Sequence, residues 1–202
     1  TNTVSLVVNK ASNVITFGAL PTNKVFGDGV FGVSVSASSG LAVSLSSLNS
    51  NVATVSGTNV TIVGAGTAGI VASQVGDSNY EAAGSVTNTL VVGKATPGIT
   101  WSNPAAITYG TALSSTQLNA SSSVAGTFTY SPTNGAVLGA GTNTLTAVFT
   151  TTNPNYVSPV TNTVSLVVNK ASNVITFGAL PTNKVFGDGV FGVSVSASSG
   201  LA

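Results

Sequence analysis

The chain has no cysteine, methionine or histidine, and its five basic residues, all lysines, are set against only four acids. Each shortage excludes something. Without cysteine there is no disulfide framework and no thiolate metal site. With methionine also missing, no readily oxidised side chain remains, which suits exposure outside the cell. Without histidine the usual base for activating a serine is gone. A net charge of +1 leaves no electrostatic footprint for nucleic acid or an anionic membrane. No apolar run approaches the ~18 residues of a membrane span, so no membrane insertion is expected. No signal peptide stands at Thr1, and localisation must rest on other signals.

Charged residues make up 4% of the chain, against roughly 25% in ordinary soluble domains. Disordered chains combine low hydrophobicity with high charge, whereas here 43% of residues are hydrophobic. An ordered fold is expected, with hydroxyl and amide groups rather than ions on its surface.

Self-similarity organises the sequence. Residues 1–42 recur unchanged as 161–202, a period of 160 residues. A Lys-Ala step at Lys10-Ala11, Lys94-Ala95 and Lys170-Ala171 divides that period into two related units, 11–94 (module A, 84 residues) and 95–170 (module B, 76 residues). Ile15-Thr16-Phe17 answers Ile99-Thr100-Trp101, and Phe26-Gly27 answers Tyr109-Gly110. Gly64-Ala65-Gly66-Thr67 answers Gly139-Ala140-Gly141-Thr142, and Asn79-Tyr80 answers Asn155-Tyr156. On this division 1–10 is the last strand of a preceding B-type module, and 171–202 holds the first strands of the next A-type module.

The hydrophobic period is two. Phe31, Val33, Val35 and Ala37 alternate with small or polar residues, as do Leu145, Ala147 and Phe149, and Val164, Leu166 and Val168. Gly, Pro and Asn punctuate the runs at Pro21-Thr22-Asn23, Ser39-Gly40, Ser56-Gly57 and Pro132-Thr133-Asn134-Gly135. Short strands at ~8–12-residue spacing predict an all-β chain of tandem immunoglobulin-like β-sandwiches in an extended array. The expected cores are Phe17, Phe31, Ile62, Ile70 and Leu90 in A, and Trp101, Phe128, Leu145 and Phe149 in B. Tyr80 and Tyr156 read equally as corner tyrosines bonded to backbone or as ordinary core aromatics.

The openings "ITFGALPTNKVFGD" and "ITWSNPAAITYGTALSSTQLNA", the middles "SNVATVSGTNVTIVGAGT" and "GTFTYSPTNGAVLGAGTNTLTAVF", and the closing "LVVNKA" resemble bacterial immunoglobulin-like tandem repeats of the MBG and Big types. The resemblance spans essentially the whole chain. It implies a scaffold module of a very large surface or secreted protein, without an assigned active site. The scarcity of acids departs from calcium-stiffened arrays of that kind.

The motifs that suggest chemistry read as structure. Gly64-Ala65-Gly66 and Gly139-Ala140-Gly141 precede strands, not the helix a phosphate loop needs, and are expected to be hairpin turns. Gly27-Asp28-Gly29 lacks the six to eight oxygens of a calcium site and reads as a turn aspartate. Lys24 with Asp77 or Glu81 is the one conceivable isopeptide set in A, and B has no acid to match it; solvated surface charges are the expectation. Asn59-Val60-Thr61 and Asn119-Ala120-Ser121 match glycosylation sequons, which arise readily in sequence this rich in Thr and Asn. B also lacks the carboxylate pair of glycoside hydrolysis. No catalytic, cofactor-binding or metal residue is therefore assigned, no cofactor is expected, and the chain is not expected to be an enzyme.

The modules follow one another without a Gly/Ser or Pro-rich linker, so little bending is expected. Strands of ~6–7 residues at ~3.3 Å, with loops, give modules roughly 35–45 Å long, or on the order of 80 Å per repeat if stacked end to end. The period carries three lysines (Lys24, Lys94, Lys170) and three acids (Asp28, Asp77, Glu81), and a net charge of zero promotes association. The expected function is a structural repeat of an extracellular bacterial filament, fibre or sheath, its partners being copies of itself. The alternative is the passive stalk of a large cell-surface adhesin, or repeats that bind cell-surface glycans weakly; the row Thr142, Thr144, Thr146 and Thr150 also permits an ice- or crystal-binding face. Neither 1–10 nor 171–202 can bury a core alone. Excision from a continuous array is the expected reason, and completion by a neighbour through strand exchange is the alternative.

Overall fold

The computed structural model describes residues 1–198, so the last four residues of the repeated segment lie outside the described region. Among the described residues there is no helix. Within 11–94 the strands are β1 (Ile15–Phe17), β2 (Lys24–Val25), β3 (Phe31–Gly32), β4 (Val35–Ala37), β5 (Ser44–Ser47), β6 (Ala53–Ser56), β7 (Asn59–Ile62), β8 (Gly66–Gln74) and β9 (Ala83–Gly93). They form a four-stranded sheet in the order β2-β9-β8-β5, a three-stranded sheet β3-β7-β6 and the pair β1-β4. The opening of the module is shared out: β1 runs antiparallel to β4, while β2 runs parallel to the closing strand β9, with Lys24 opposite Val92.

Alternation decides the core. Ala68, Ile70, Leu90 and Val92 from the four-stranded sheet meet Ala53 and Val60 from the three-stranded one and Val52 from the turn before β6, with Phe17, Phe31, Leu45 and Ile62 packed around them. Two sheets closing on one apolar layer make an immunoglobulin-like β-sandwich. Each large side chain so buried contributes about 1.5–3 kcal/mol. A buried polar pair is satisfied: the Asn13 amide donates to Gln74 Oε1, which also accepts the Gly76 amide at 2.7 Å.

One expectation needs correction. The alternating run 31–37 is not one strand. Phe31 and Gly32 pair with β7, whereas Val35–Ala37 pairs with β1. At Val33 the chain leaves the first partner (its amide donates to Thr58 O, 2.9 Å), and by Ser34 it has met the second, accepting the Gly18 amide at 2.8 Å. Gly32, lacking a Cβ, weakens strand continuity where the chain must bend.

Within 95–170 the strands are β10 (Ile99–Thr100), β11 (Ile107–Thr108), β12 (Ser121–Ser122), β13 (Thr127–Ser131), β14 (Gly141–Thr150) and β15 (Val160–Asn169). The sheet order is β11-β15-β14-β13, β10 pairs with β12, and β11 is parallel to β15 with Ile107 opposite Val168. Leu145, Ala147 and Phe149 on β14 are buried, as are Val164, Leu166 and Val168 on β15. Last come β16 (Ile175–Phe177) and β17 (Val195–Ala197), paired in the register of β1 and β4.

The chain gathers into two compact units. The first comprises Thr1–Thr100, Ser121–Phe128 and Val148–Thr161. The second comprises Trp101–Ala120, Thr129–Ala147 and the chain from Asn162 onward. In the first, Phe149 packs on Phe128 with centroids 4.9 Å apart. In the second, the Trp101 indole donates to Gln117 O at 3.0 Å and sets its ring edgewise to Tyr130 at 5.6 Å.

Candidate functional site

The most specific geometry in the first unit is a clip used twice. Asp77 Oδ1 accepts the amides of Asn79 and Tyr80, both at 2.8 Å, fixing a tight loop. That loop grips the alanine of a Lys-Ala step: Ala11 N donates to Asn79 O, and Glu81 N donates to Ala11 O, each at 2.8 Å. The second instance repeats the first. Asn153 Oδ1 accepts the Asn155 amide at 3.0 Å, Ala95 N donates to Asn155 O at 2.9 Å, and Val157 N donates to Ala95 O at 2.8 Å. Asn153 stands where Asp77 stands, because the turn needs only a short side-chain acceptor.

At the second clip the side chains make further contacts. Asn155 Oδ1 accepts the Ala65 amide at 2.8 Å. The Tyr156 ring sits edge-on to Phe26, with centroids 5.5 Å apart and planes at 80°. An edge-to-face pair contributes about 0.5–1.5 kcal/mol beyond its buried area, and the hydrogen bond a similar amount. Residues 90 apart in sequence are thereby locked together.

This placement corrects one expectation and completes another. Gly64-Ala65-Gly66 is not a hairpin turn: it carries the chain from β7 in one sheet to β8 in the other, with Gly66 at φ +139°. The real hairpin is Ser56-Gly57-Thr58-Asn59, where Ser56 faces Asn59 across a two-residue loop and Gly57 supplies φ +60°. The tyrosines, left open between corner and core, are half-buried loop residues, and Tyr156 packs against the ring of Phe26. The signal available in sequence was the recurrence of Phe26 and Tyr109 beside turn glycines, at positions where no core strand claims them.

The remaining candidates stay apart. Asp28 Oδ2 accepts the Val25 amide at 3.0 Å, as a turn aspartate does. Lys24 Nζ lies over the Phe31 ring at 5.1 Å. Asn59 and Asn119 are exposed, and the Asn119 amide donates to Thr116 O at 3.2 Å. Thr142, Thr144 and Thr150 are exposed, and Thr146 is half-buried. Among the described residues no three His, Cys, Asp or Glu side chains come together.

The second unit holds an open cleft of about 400 Å³ lined by Ser114, Ser115, Leu118, Tyr130, Thr133 and Asn134. Its Ser114 amide and hydroxyl both meet Gln117 Oε1 at 3.1 Å. Hydroxyls, an amide and one aromatic ring can hold a polar ligand by hydrogen bonds and stacking.

No family model matches the sequence, and no curated protein does. Among solved structures, Drosophila N-cadherin EC1-4 is similar over 81% of this chain (TM-score 0.31, 9% identity), and this chain spans half of its length. Drosophila N-cadherin EC1-3 gives TM-score 0.29 at 13% identity over 81% of this chain and 69% of that one. Human mucin-like protocadherin EC1-2 gives 0.27 at 9% over 78% and 98%.

Proposed function

We propose that the chain is a structural repeat of an extracellular bacterial filament, fibre or sheath, with copies of itself as partners and no catalytic role. One observation carries this. The four long strands β8, β9, β14 and β15 contain no charged residue, and their outward positions are Thr, Ser, Asn, Gly and Val, such as Thr87, Thr89 and Val91, or Thr163, Ser165 and Val167. Soluble domains ordinarily spread charged side chains over such solvent-facing surfaces. Faces without charge favour association, and the bacterial repeats that the sequence resembles work as scaffold in large surface proteins.

Electron microscopy of the purified chain tests this. Filaments or laterally ordered bundles are expected, and replacing Thr87, Thr89 and Thr163 by Lys should disperse them. Monodisperse particles at every concentration would refute the reading. The cleft at Tyr130 supports a second reading, glycan-binding adhesin repeats, which saturable binding on a glycan array would favour.

A further inference from the structure

In each module the opening segment runs beside the closing one and is fastened to it at three points, met in the same order along both. In module A the clip holds Ala11 against 79–81, a parallel bridge. Next, the Asn88 side-chain amide donates to Gly18 O at 2.9 Å. Last, β2 runs parallel to the end of β9, and the Phe26 amide donates to Gly93 O at 2.9 Å. Module B repeats the seam. Ala95 is held against 155–157, again as a parallel bridge. The Ser165 amide donates to Asn103 Oδ1 at 3.0 Å. Then β11 runs parallel to the end of β15, and the Tyr109 amide donates to Asn169 O at 2.8 Å. The middle asparagine sits on the closing strand in A and on the opening segment in B, so the arrangement recurs although the residue supplying it has changed sides.

The two segments point the same way, so a pull along the chain drags the opening one toward its start and the closing one toward its end. The seam is then stressed along its length, and its fastenings share the force and give together. An antiparallel pair joined by a hairpin and pulled at its two ends opens one bond at a time instead. We propose that each module carries tension along the chain, and that the three-point seam between its opening and closing segments is what resists it. The step Lys94-Ala95 joins the modules without a spacer, so tension leaving A passes directly to the opening of B. This function goes beyond self-assembly, since it belongs to the single chain whether or not copies associate.

With no cysteine in the chain, paired cysteines choose where the full chain is held, and its lifetime under constant tension reads the unfolding rate. Lys10→Cys with Lys94→Cys stresses the seam of A lengthwise. Gly29→Cys with Lys94→Cys peels it from the Phe26–Gly93 end; Gly29 is exposed, and a Cβ there meets nothing within 4 Å. At equal tension the lengthwise pair should survive about ten- to a hundredfold longer, because three fastenings must give at once instead of one. Asn88→Ala should shorten the lengthwise lifetime about 2- to 10-fold. It should leave the peeling lifetime unchanged, since peeling begins at the 24–26 fastening. Asn103→Ala, outside the stressed module, should alter neither. Circular dichroism checks that the variants fold, and the comparison of the two pulling directions needs only the anchoring cysteines. A lengthwise lifetime no longer than the peeling one overturns the proposal. So does an equal loss in both directions on Asn88→Ala, the result of a purely structural role. Either failure leaves the filament reading standing, because only single molecules are held.

Discussion

Residues 1–10 and 161–170 are the same ten amino acids in two environments. The second copy is strand β15, with Leu166 fully buried; the first forms no strand, and Leu6 is 86% exposed. The next stretch reverses the pattern, since Ile15 is 6% exposed and its repeat Ile175 62%. One sequence therefore supplies its own control: alternation makes a segment able to be a strand, and the neighbouring strands decide whether it is one. β15 has β14 and β11 beside it. β1 has the 43–94 stretch to pack on, through Phe17 and the core around Ile70 and Leu90; among the described residues β16 pairs only with β17.

The largest expected difference is in hydrogen exchange. Amides of 164–169 should be slowed by orders of magnitude relative to those of 4–9 in the dilute chain, and equal rates would break the comparison. Next is truncation. Leu166→Ala should cost about 2–5 kcal/mol, whereas Leu6→Ala should stay within about 0.5 kcal/mol, both read from denaturant midpoints. Ile15→Ala against Ile175→Ala should give the same split with the ends exchanged. A smaller contrast concerns the matched glycines. Gly64→Ala would drive a methyl into Asn51 O and should cost about 1–3 kcal/mol, while Gly139→Ala should be near neutral. The smallest is Asn155→Ala, expected to cost about 0.5–1.5 kcal/mol through the lost bond to Ala65 N, against no measurable change for Asn79→Ala in dilute solution.

Much of the fold was legible because period-two patterning is local. The burial of Leu145, Ala147 and Phe149, and of Val164, Leu166 and Val168, follows from alternation alone. Ile70 and Leu90 were read as core for the same reason. The switch of 31–37 between sheets was not legible, because alternation names a face and not a partner strand. The Gly64-Ala65-Gly66 crossing was missed because glycine-rich punctuation marks a turn without saying which strands it joins. Val52, Ala53, Val60 and Ala68 were passed over because small residues give a weak signal until two sheets close on them. The Asn155 and Tyr156 contacts depend on residues 90 and 130 positions away in the chain, and only the recurrence of Phe26 and Tyr109 hinted at them.

The uncharged long strands have one more consequence. Dissolved salt shortens the reach of ionic forces from ~10 Å at 0.1 M to ~3 Å at 1 M, and acid acts by protonating carboxylates. The outward faces of β8, β9, β14 and β15 carry no charge for screening or protonation to remove. Contacts made through them would therefore not be weakened by salt or mild acid, a tolerance that a lattice built on ion pairs does not have.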